Sequence, residues 1–302
     1  MYLLSPKYYR WILYCFLYHL SSSNVFASDN ALLWQIDHAD LQGHSYLFAT
    51  MHSSHRKITA LLPKIRPYIQ QADAVILETV PDNSDVLLSP SELADDPYAL
   101  LNLLGNDTFV ALYQQLSQRG LNIETAMQLK PWAAVRYLSM PITQDTGQPL
   151  DSLIYLQASW FNIIPQPLET YNEQLQIYYQ MSEASQLALL KETLTESQQV
   201  STGFDSMLNL YLQGNLQRLL EYSQTMSFEN TPATQLFMQR LIPERNTRMF
   251  HRMQYHLKKG QAFIAVGALH FSGEKGLLNL LKQQNYTLTP IHLSPKLPHK
   301  IP

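Results

Sequence analysis

A buried strand that runs into a glycine and then a histidine is the feature that most constrains this chain. Phe263, Ile264, Ala265 and Val266 form an unbroken apolar run, which is typical of a strand covered on both faces of a sheet. Gly267 ends the run, and His270 follows three residues later. Because α/β proteins place their chemistry at the carboxyl ends of strands, the pattern predicts a functional role for His270.

A similar pattern occurs far upstream in the chain. The apolar run that begins at Tyr46 continues to Ala49 and is followed by Thr50, Met51 and His52. One histidine at a strand end is more often an ordinary polar residue at the start of a loop. Two histidines in the same local setting favour a shared role. We therefore expect two structural halves whose strand ends face one pocket.

Length and charge bound the class of protein. The chain has 302 residues, of which 46% are hydrophobic and 15% are charged. These values predict a compact globular protein of one large or two small domains. The formal net charge is −3, and no basic run occurs, so we expect no nucleic-acid partner.

The first 27 residues have the pattern of a secretory signal peptide. Lys7 and Arg10 are followed by a mostly apolar stretch at 11–20 and by small and polar residues that end at Ala27. The apolar stretch is shorter than the ~20 residues that span a bilayer. We expect a mature domain at 28–302 that is periplasmic or secreted, with no stable membrane anchor after cleavage; an uncleaved anchor is the alternative. The single cysteine, Cys15, lies in the leader, so the mature domain has neither disulfide nor thiolate chemistry.

Periodicity predicts an α/β fold in which a mixed or parallel sheet is built from strands near both chain ends, with a large helical insertion in the middle. The first two strands are predicted to form a hairpin. The predicted strands are 31–38, 44–50, 74–79, 263–266 and 287–292. The predicted helices are 59–71, 91–104, 107–119, 123–128, 131–140, 151–161, 171–196, a pair within 203–222, 234–259 with a break at Pro243, and 275–283.

A carboxylate stands at the end of the third predicted strand. Glu78 follows the apolar run at 74–77, where an acidic side chain is costly unless it is paired, hydrogen-bonded or bound to a metal. The spacing between Phe48 and Glu78 matches a right-handed βαβ unit. We therefore expect Glu78 beside His52 at one edge of the sheet. Together with His270, these residues are candidates for a metal site with two histidines and one carboxylate.

An ordered series of short motifs resembles the TraB/GumN family, which includes the Tiki-type proteases and shares a fold with erythromycin esterase-like and ChaN-like proteins. The resemblance extends from about Leu33 to Leu293. One residue departs from it, because Ala49 stands where the family has glycine. The matching segments are Trp34, Tyr46–His52, Ala72–Asp73, Leu77–Glu78, Lys130–Trp132, Leu150–Asp151, Leu168–Leu175, Tyr211–Asn215, Glu244–Asn246 and Val266–His270.

The resemblance implies a metal-dependent peptidase. It implies Mn²⁺ or Co²⁺ as the cofactor, with Zn²⁺ also a candidate, and a peptide or protein as the substrate. His52, Glu78 and His270 are the expected metal ligands. Glu78, Arg245 and Asn246 are the expected catalytic residues, and an arginine at this place would bind a carboxylate or stabilise an oxyanion.

Several alternatives stay open at this point. The proposed ligands would also fit a buried hydrogen-bonded network, and the ChaN-like relatives suggest a non-catalytic protein that binds a haem-like ligand. A degenerate family member acting as an interaction module is a third interpretation, favoured by Ala49. His55 is a candidate for an extra ligand. We expect Asp151, Glu169 and Glu173 to cap helices or to pair with Arg136 or Arg245.

Overall fold

A mixed sheet with helices around it forms the fold, which confirms the predicted α/β class with a helical insertion. The computed structural model describes residues 30–40, 43–80, 90–139, 147–197, 200–225 and 232–293. The predicted signal peptide at 1–27 lies outside these residues. Among the described helices, none is long and apolar enough to cross a membrane.

The described residues form a six-stranded sheet in the order β4-β3-β5-β2-β1-β6. β1 pairs antiparallel with both β2 and β6, whereas the pairs β2–β5, β5–β3 and β3–β4 are parallel. Strands from both ends of the chain therefore share one sheet. The strands are β1 (Leu33–Asp37), β2 (Ser45–Thr50), β3 (Ala74–Leu77), β4 (Gln166–Pro167), β5 (Ala262–Gly267) and β6 (Thr287–Ile291).

The central strand β5 corrects one expectation about neighbours. β3 pairs with β5 and not with β2, so β5 lies between the ends of the expected βαβ unit. Glu78 therefore lies beside Gly267 and not directly beside His52, which is one strand further away. Local periodicity does not predict this strand order, because the intervening strand β5 comes from the far end of the chain.

Helices occupy most of the middle of the chain, and several are shorter than periodicity predicts. The predicted helix at 171–196 is two helices, whereas the one predicted at 59–71 is a single helix, Leu62–Gln70, preceded by the short helix Arg56–Thr59. The helices are α1 (Arg56–Thr59), α2 (Leu62–Gln70), α3 (Ala99–Leu104), α4 (Asn106–Ser117), α5 (Ile123–Gln128), α6 (Pro131–Ser139), α7 (Leu150–Trp160), α8 (Tyr171–Tyr179), α9 (Glu183–Ser197), α10 (Val200–Leu212), α11 (Leu216–Thr225), α12 (Pro232–Gln239), α13 (Arg245–Lys259) and α14 (Leu277–Gln283).

The long helical stretch near the C-terminus is interrupted as predicted. Pro243 lies in a π-helical turn, Arg240–Glu244, which separates α12 from α13. Proline has no backbone N–H and clashes with the preceding turn of an α-helix, so the hydrogen-bonding pattern must change there. π-helical turns are often found at functional sites. The turn at Arg240–Glu244 is followed directly by Arg245, the first residue of α13.

Two separate hydrophobic cores stabilise the described residues. The larger one surrounds the sheet and includes Phe48, Phe263 and Tyr211, each essentially without solvent exposure. The second lies within the helical insertion and contains Trp132 and Phe237, with contributions from α4, α6, α8, α9 and α12. The helical insertion therefore has a packed interior of its own beside the sheet.

The residue that departs from the family pattern fits its place. Ala49 is fully buried in β2, and it is absent from the described non-glycine residues with positive φ. Its amide donates to the carbonyl of Leu32 at 2.7 Å, and its carbonyl accepts from the Tyr211 hydroxyl at 2.9 Å. Alanine adopts extended backbone without strain, so the strand before His52 does not need glycine.

Gly214, between α10 and α11, is a position that only glycine suits. Its φ is +68°, and a Cβ atom there would lie 2.8 Å from the backbone nitrogen of Ala31. Backbone atoms at that distance have to move apart. The close approach packs the turn after α10 against the start of β1.

We expect Gly214→Ala to destabilise the protein by at least about 2 kcal/mol more than Gly120→Ala. Gly120 has φ +84° and no atom within 4 Å of the methyl group that alanine would add, so alanine there adds only backbone strain, about 1–2 kcal/mol. At Gly214 steric overlap adds to the strain. Urea denaturation of the two variants measures the difference. Equal losses would show that the turn moves away from β1 at little cost.

Candidate active site at the strand ends

Three parallel strands bring the predicted site residues to one edge of the sheet. His52 follows the end of β2, Glu78 follows β3, and His270 follows β5. β5 is hydrogen-bonded to both other strands, with Thr50 opposite Gly267 and Leu77 opposite Ala265. The carboxyl ends of parallel strands meet at one edge, which is where open α/β sheets bind ligands.

Glu78 is the centre of this edge. Its Oε2 accepts the backbone N–H of Gly267 at 2.9 Å, and its Oε1 accepts from Gln174 Nε2 at 3.1 Å and from Arg245. Burial alone would raise the pKa of Glu78, but the charges of Arg245 and His270 and the Gly267 amide lower that pKa to about 2. The carboxylate is therefore ionised at every physiological pH.

Gly267 allows this close approach of backbone and carboxylate. A Cβ atom at Gly267 would lie 3.1 Å from Glu78 Oε2, which is tighter than an ordinary van der Waals contact. Because Gly267 has no side chain, the Glu78 carboxylate can come close enough to accept the Gly267 N–H.

Arg245 lies between two carboxylates. Its guanidinium pairs with Glu78 on one side and donates from Nε to Glu169 Oε2 at 2.7 Å on the other. Glu169 is fully buried and also pairs with Arg248 at 2.7 Å. Burial opposes the charge of Arg245, but the two carboxylates raise its pKa, so it stays protonated. This confirms the expected pairing of Glu169 with Arg245.

Asn246, the next residue of α13, fixes His270. The Asn246 side-chain nitrogen donates to the carbonyls of His270 at 3.1 Å and of Lys275 at 2.8 Å. Its Oδ1 must then face His270 Nδ1, 2.6 Å away, so Nδ1 carries the hydrogen. Burial lowers the pKa of His270 to about 4, although the Glu78 charge opposes the shift. The ring is therefore neutral at pH 7, with Nε2 as its acceptor.

Two acceptor atoms consequently face each other. His270 Nε2 lies 3.9 Å from Glu78 Oε1, and both atoms carry lone pairs when the ring is neutral and the carboxylate is ionised. Arg245 and Gln174 already donate to Oε1, so a positive charge or a hydrogen-bond donor between the two atoms would mainly add a partner for His270 Nε2. The distance suits two ligands that each bind one ion at about 2.0–2.2 Å.

His52 lies at the outer side of the site and contacts a different carboxylate. Its side chain is 76% exposed, and its Nδ1 lies 3.4 Å from Asp151 Oδ2. The Asp151 carboxylate raises the pKa of His52 against the opposing effect of burial, with a smaller contribution from Glu78. Asp151 was expected to cap a helix or to pair with Arg136 or Arg245, and its position beside His52 corrects that expectation.

His55 has a structural position. Its Nδ1 accepts the backbone N–H of Lys57 at 3.2 Å, which caps α1, and its ring contacts Phe204. Glu173 also caps, as expected: it forms a reciprocal capping box with Thr170 at the start of α8. Its arginine partner is Arg252 and neither of the two expected ones.

Two polar residues of the folded protein had no role predicted from sequence. Gln174 donates to Glu78 across 96 residues, and its only sequence signal was its place in the Leu168–Leu175 motif. Glu92 is fully buried in the helical insertion and pairs with Arg136. Both contacts join segments that are distant in the chain, which local patterns do not reveal.

The donor set fits a metal in part. Among the described residues, no group of three or more histidine, cysteine or acidic side chains is arranged to hold a metal ion. His270 nevertheless has the environment typical of metal-binding histidines, because its other ring nitrogen donates to a fixed oxygen. Glu78 and His270 thus form a prepared pair of donors.

Comparison with known proteins gives one match. A sequence model of the TraB/PrgY/gumN family matches residues 32–290, which is nearly the whole chain. No curated protein and no solved structure matches it significantly.

We expect Arg245→Met to cost about 3 kcal/mol of unfolding free energy, because it removes the counter-charge of the partly exposed Glu78 and one of the two arginines that pair with the buried Glu169. Arg252→Met, further along the same helix, breaks a pair whose arginine is 41% exposed and should cost at most about 1 kcal/mol. Denaturant titration measures both. A small loss for Arg245→Met would mean that water hydrates the Glu78 and Glu169 carboxylates once the arginine is removed.

We expect stability to fall as the pH is lowered from 6.5 towards 4, measured with a chelator present. The folded-state pKa of His270 is about 4 and its ordinary value is 6.5, so the unfolded chain binds the extra proton in this interval. The loss should reach about 3 kcal/mol. His270→Gln should flatten the profile. A profile that keeps its slope in His270→Gln would assign the effect elsewhere.

Proposed function

The chain belongs to the TraB/PrgY/gumN family, matched over residues 32–290, and from this premise we propose that it is a metal-dependent hydrolase. Its site comprises His52, Glu78 and His270 at the carboxyl ends of β2, β3 and β5. The observation that carries the proposal is the pair of opposed acceptors, His270 Nε2 and Glu78 Oε1, 3.9 Å apart. A divalent cation between them would be bound by both atoms.

The residues around this pair support it. Asn246 holds the His270 ring with Nε2 unprotonated, and Gly267, Gln174 and Arg245 hold the Glu78 carboxylate. The guanidinium of Arg245 donates its hydrogen bonds to Glu78 and Glu169. We therefore assign Arg245 a positioning role and not direct contact with the substrate. Asn246 is also a positioning residue, because its side chain is hydrogen-bonded to His270 and to the Lys275 carbonyl.

His52 would complete the set of ligands from the exposed side. Its side chain is 76% exposed, so a substrate could reach it. A divalent ion, Mn²⁺ or Co²⁺ in the first place and Zn²⁺ in the second, would supply Lewis-acid polarisation of the scissile carbonyl. The chain supplies the ordered donors and a carboxylate that stays ionised.

A peptide bond is the proposed target, in a peptide or protein substrate. Water adds to the carbonyl carbon, the C–N bond breaks, and a proton passes to the leaving amine, which leaves a carboxylic acid and an amine. The helical insertion contacts the site directly, since Gln174 of α8 donates to Glu78. We therefore propose that this insertion forms the walls that select the substrate.

The proposal includes export. The sequence pattern of residues 1–27 supports removal of a signal peptide, after which the domain 28–302 would act in the periplasm or outside the cell.

We expect purified protein 28–302 to bind Mn²⁺ or Co²⁺ near one equivalent, measured by elemental mass spectrometry after reconstitution. His52→Ala and His270→Ala should each lose most of the metal, and chelator-sensitive cleavage of a peptide library should follow the metal content. His55→Ala is the matched control, since that ring caps α1 and should leave the metal bound.

The opposite result is equally clear. If the parent protein retains no Mn²⁺, Co²⁺ or Zn²⁺ after reconstitution, the metal-dependent hydrolase is ruled out. A Soret band after haem addition, without turnover, would then favour the ligand-binding alternative.

A further inference from the structure

Each of the two histidines of the site has its Nδ1 close to a side-chain oxygen. Each follows the end of one of two adjacent parallel strands, β2 and β5. His270 Nδ1 faces Asn246 Oδ1 at 2.6 Å, and His52 Nδ1 faces Asp151 Oδ2 at 3.4 Å. Asn246 is the second residue of α13, and Asp151 is the second residue of α7.

The contact of Asp151 is the less complete of the two. Asp151 Oδ2 is buried and has no hydrogen-bond partner among the described residues, although the His52 ring lies beside it. A buried carboxylate oxygen without a donor is costly, and Nδ1 of His52, 3.4 Å away, can supply one. The backbone ties the two together, since the Leu150 amide donates to the Ser53 carbonyl at 3.2 Å.

We propose that Asp151 is a positioning residue for His52, the counterpart of Asn246 for His270. Its carboxylate accepts the Nδ1–H of His52 and leaves Nε2 free to bind the ion. This hydrogen bond fixes the tautomer and the ring orientation of His52, as the bond to Asn246 does for His270. This inference rests on the proposed function, since it assigns Nε2 of His52 to the metal.

The difference between the two partners follows from burial. The His270 side chain is 5% exposed, so packing restricts its ring and a neutral amide suffices. The His52 side chain is 76% exposed. A charged acceptor makes a stronger hydrogen bond than a neutral one, which suits a ring that packing does not restrain. Orientation of this kind is typical of the second layer around metal-binding histidines.

The first test needs no metal. Nitrogen-15 NMR of the histidine rings at alkaline pH, where the rings are neutral, reports which nitrogen carries the hydrogen, and His52→Ala identifies the signal. We expect Nδ1–H on His52 in the parent protein and in Asp151→Asn, whose amide oxygen can still accept. Asp151→Ala should shift the ring to Nε2–H. Nε2–H in the parent, or no shift in Asp151→Ala, would overturn the proposal.

The second test measures the consequence for the ion. We expect Asp151→Ala to weaken Co²⁺ binding by about 10–100-fold and to change the visible absorption spectrum of the Co²⁺ form, with a smaller loss for Asp151→Asn. Asp107→Asn is the matched control: it removes an exposed carboxylate from the same second position of α4 and should change nothing.

The two proposals fail in distinguishable ways. Absence of Co²⁺ binding in the parent protein defeats the hydrolase proposal, and the NMR result still decides the role of Asp151. Normal Co²⁺ affinity in a folded Asp151→Ala variant defeats the positioning role and leaves the hydrolase intact. Circular dichroism of each variant confirms that the fold is retained.

Discussion

The charge of Arg245, placed between Glu78 and Glu169, is the interaction on which the site depends. The arginine and Glu78 are 167 residues apart in sequence, and Glu169 is fully buried. Without this guanidinium, Glu78 would lose its counter-charge and Glu169 would keep only Arg248 as its partner. With it, one contact joins the end of β3, the start of α13 and the segment before α8. The sheet and the helical insertion are therefore joined at the place where the ligands would bind.

Local patterns predicted the parts of the site that local geometry determines. An apolar run that ends in Glu78 and another that ends before His270 were enough to place both residues at the same edge, because parallel strands align their carboxyl ends. The break at Pro243 was predictable in the same way, since the backbone chemistry of proline acts on its own turn.

The rest depends on contacts between distant segments. The position of β5 between β2 and β3 follows from pairing across most of the chain, and periodicity contains no information on pairing order. Asp151 could not be assigned to His52, because the start of α7 reaches the strand end only in the folded protein. The division of 171–196 into α8 and α9 is different, because it has a local signal that was missed: Ser182 Oγ accepts the backbone N–H of Ser185 at 3.2 Å and so caps the start of α9.

The placement of β5 also has a consequence for how the protein comes to be folded. The strands β2 and β3 have no direct pairing with each other, and the strand that joins them begins at Ala262, after most of the chain has been synthesised. The loop closure that forms the sheet is thus postponed to the end of translation, and a topology with such distant pairings folds slowly. A nascent chain that ends before Ala262 therefore has one edge of β2 and one edge of β3 without the partner strand that the finished sheet provides.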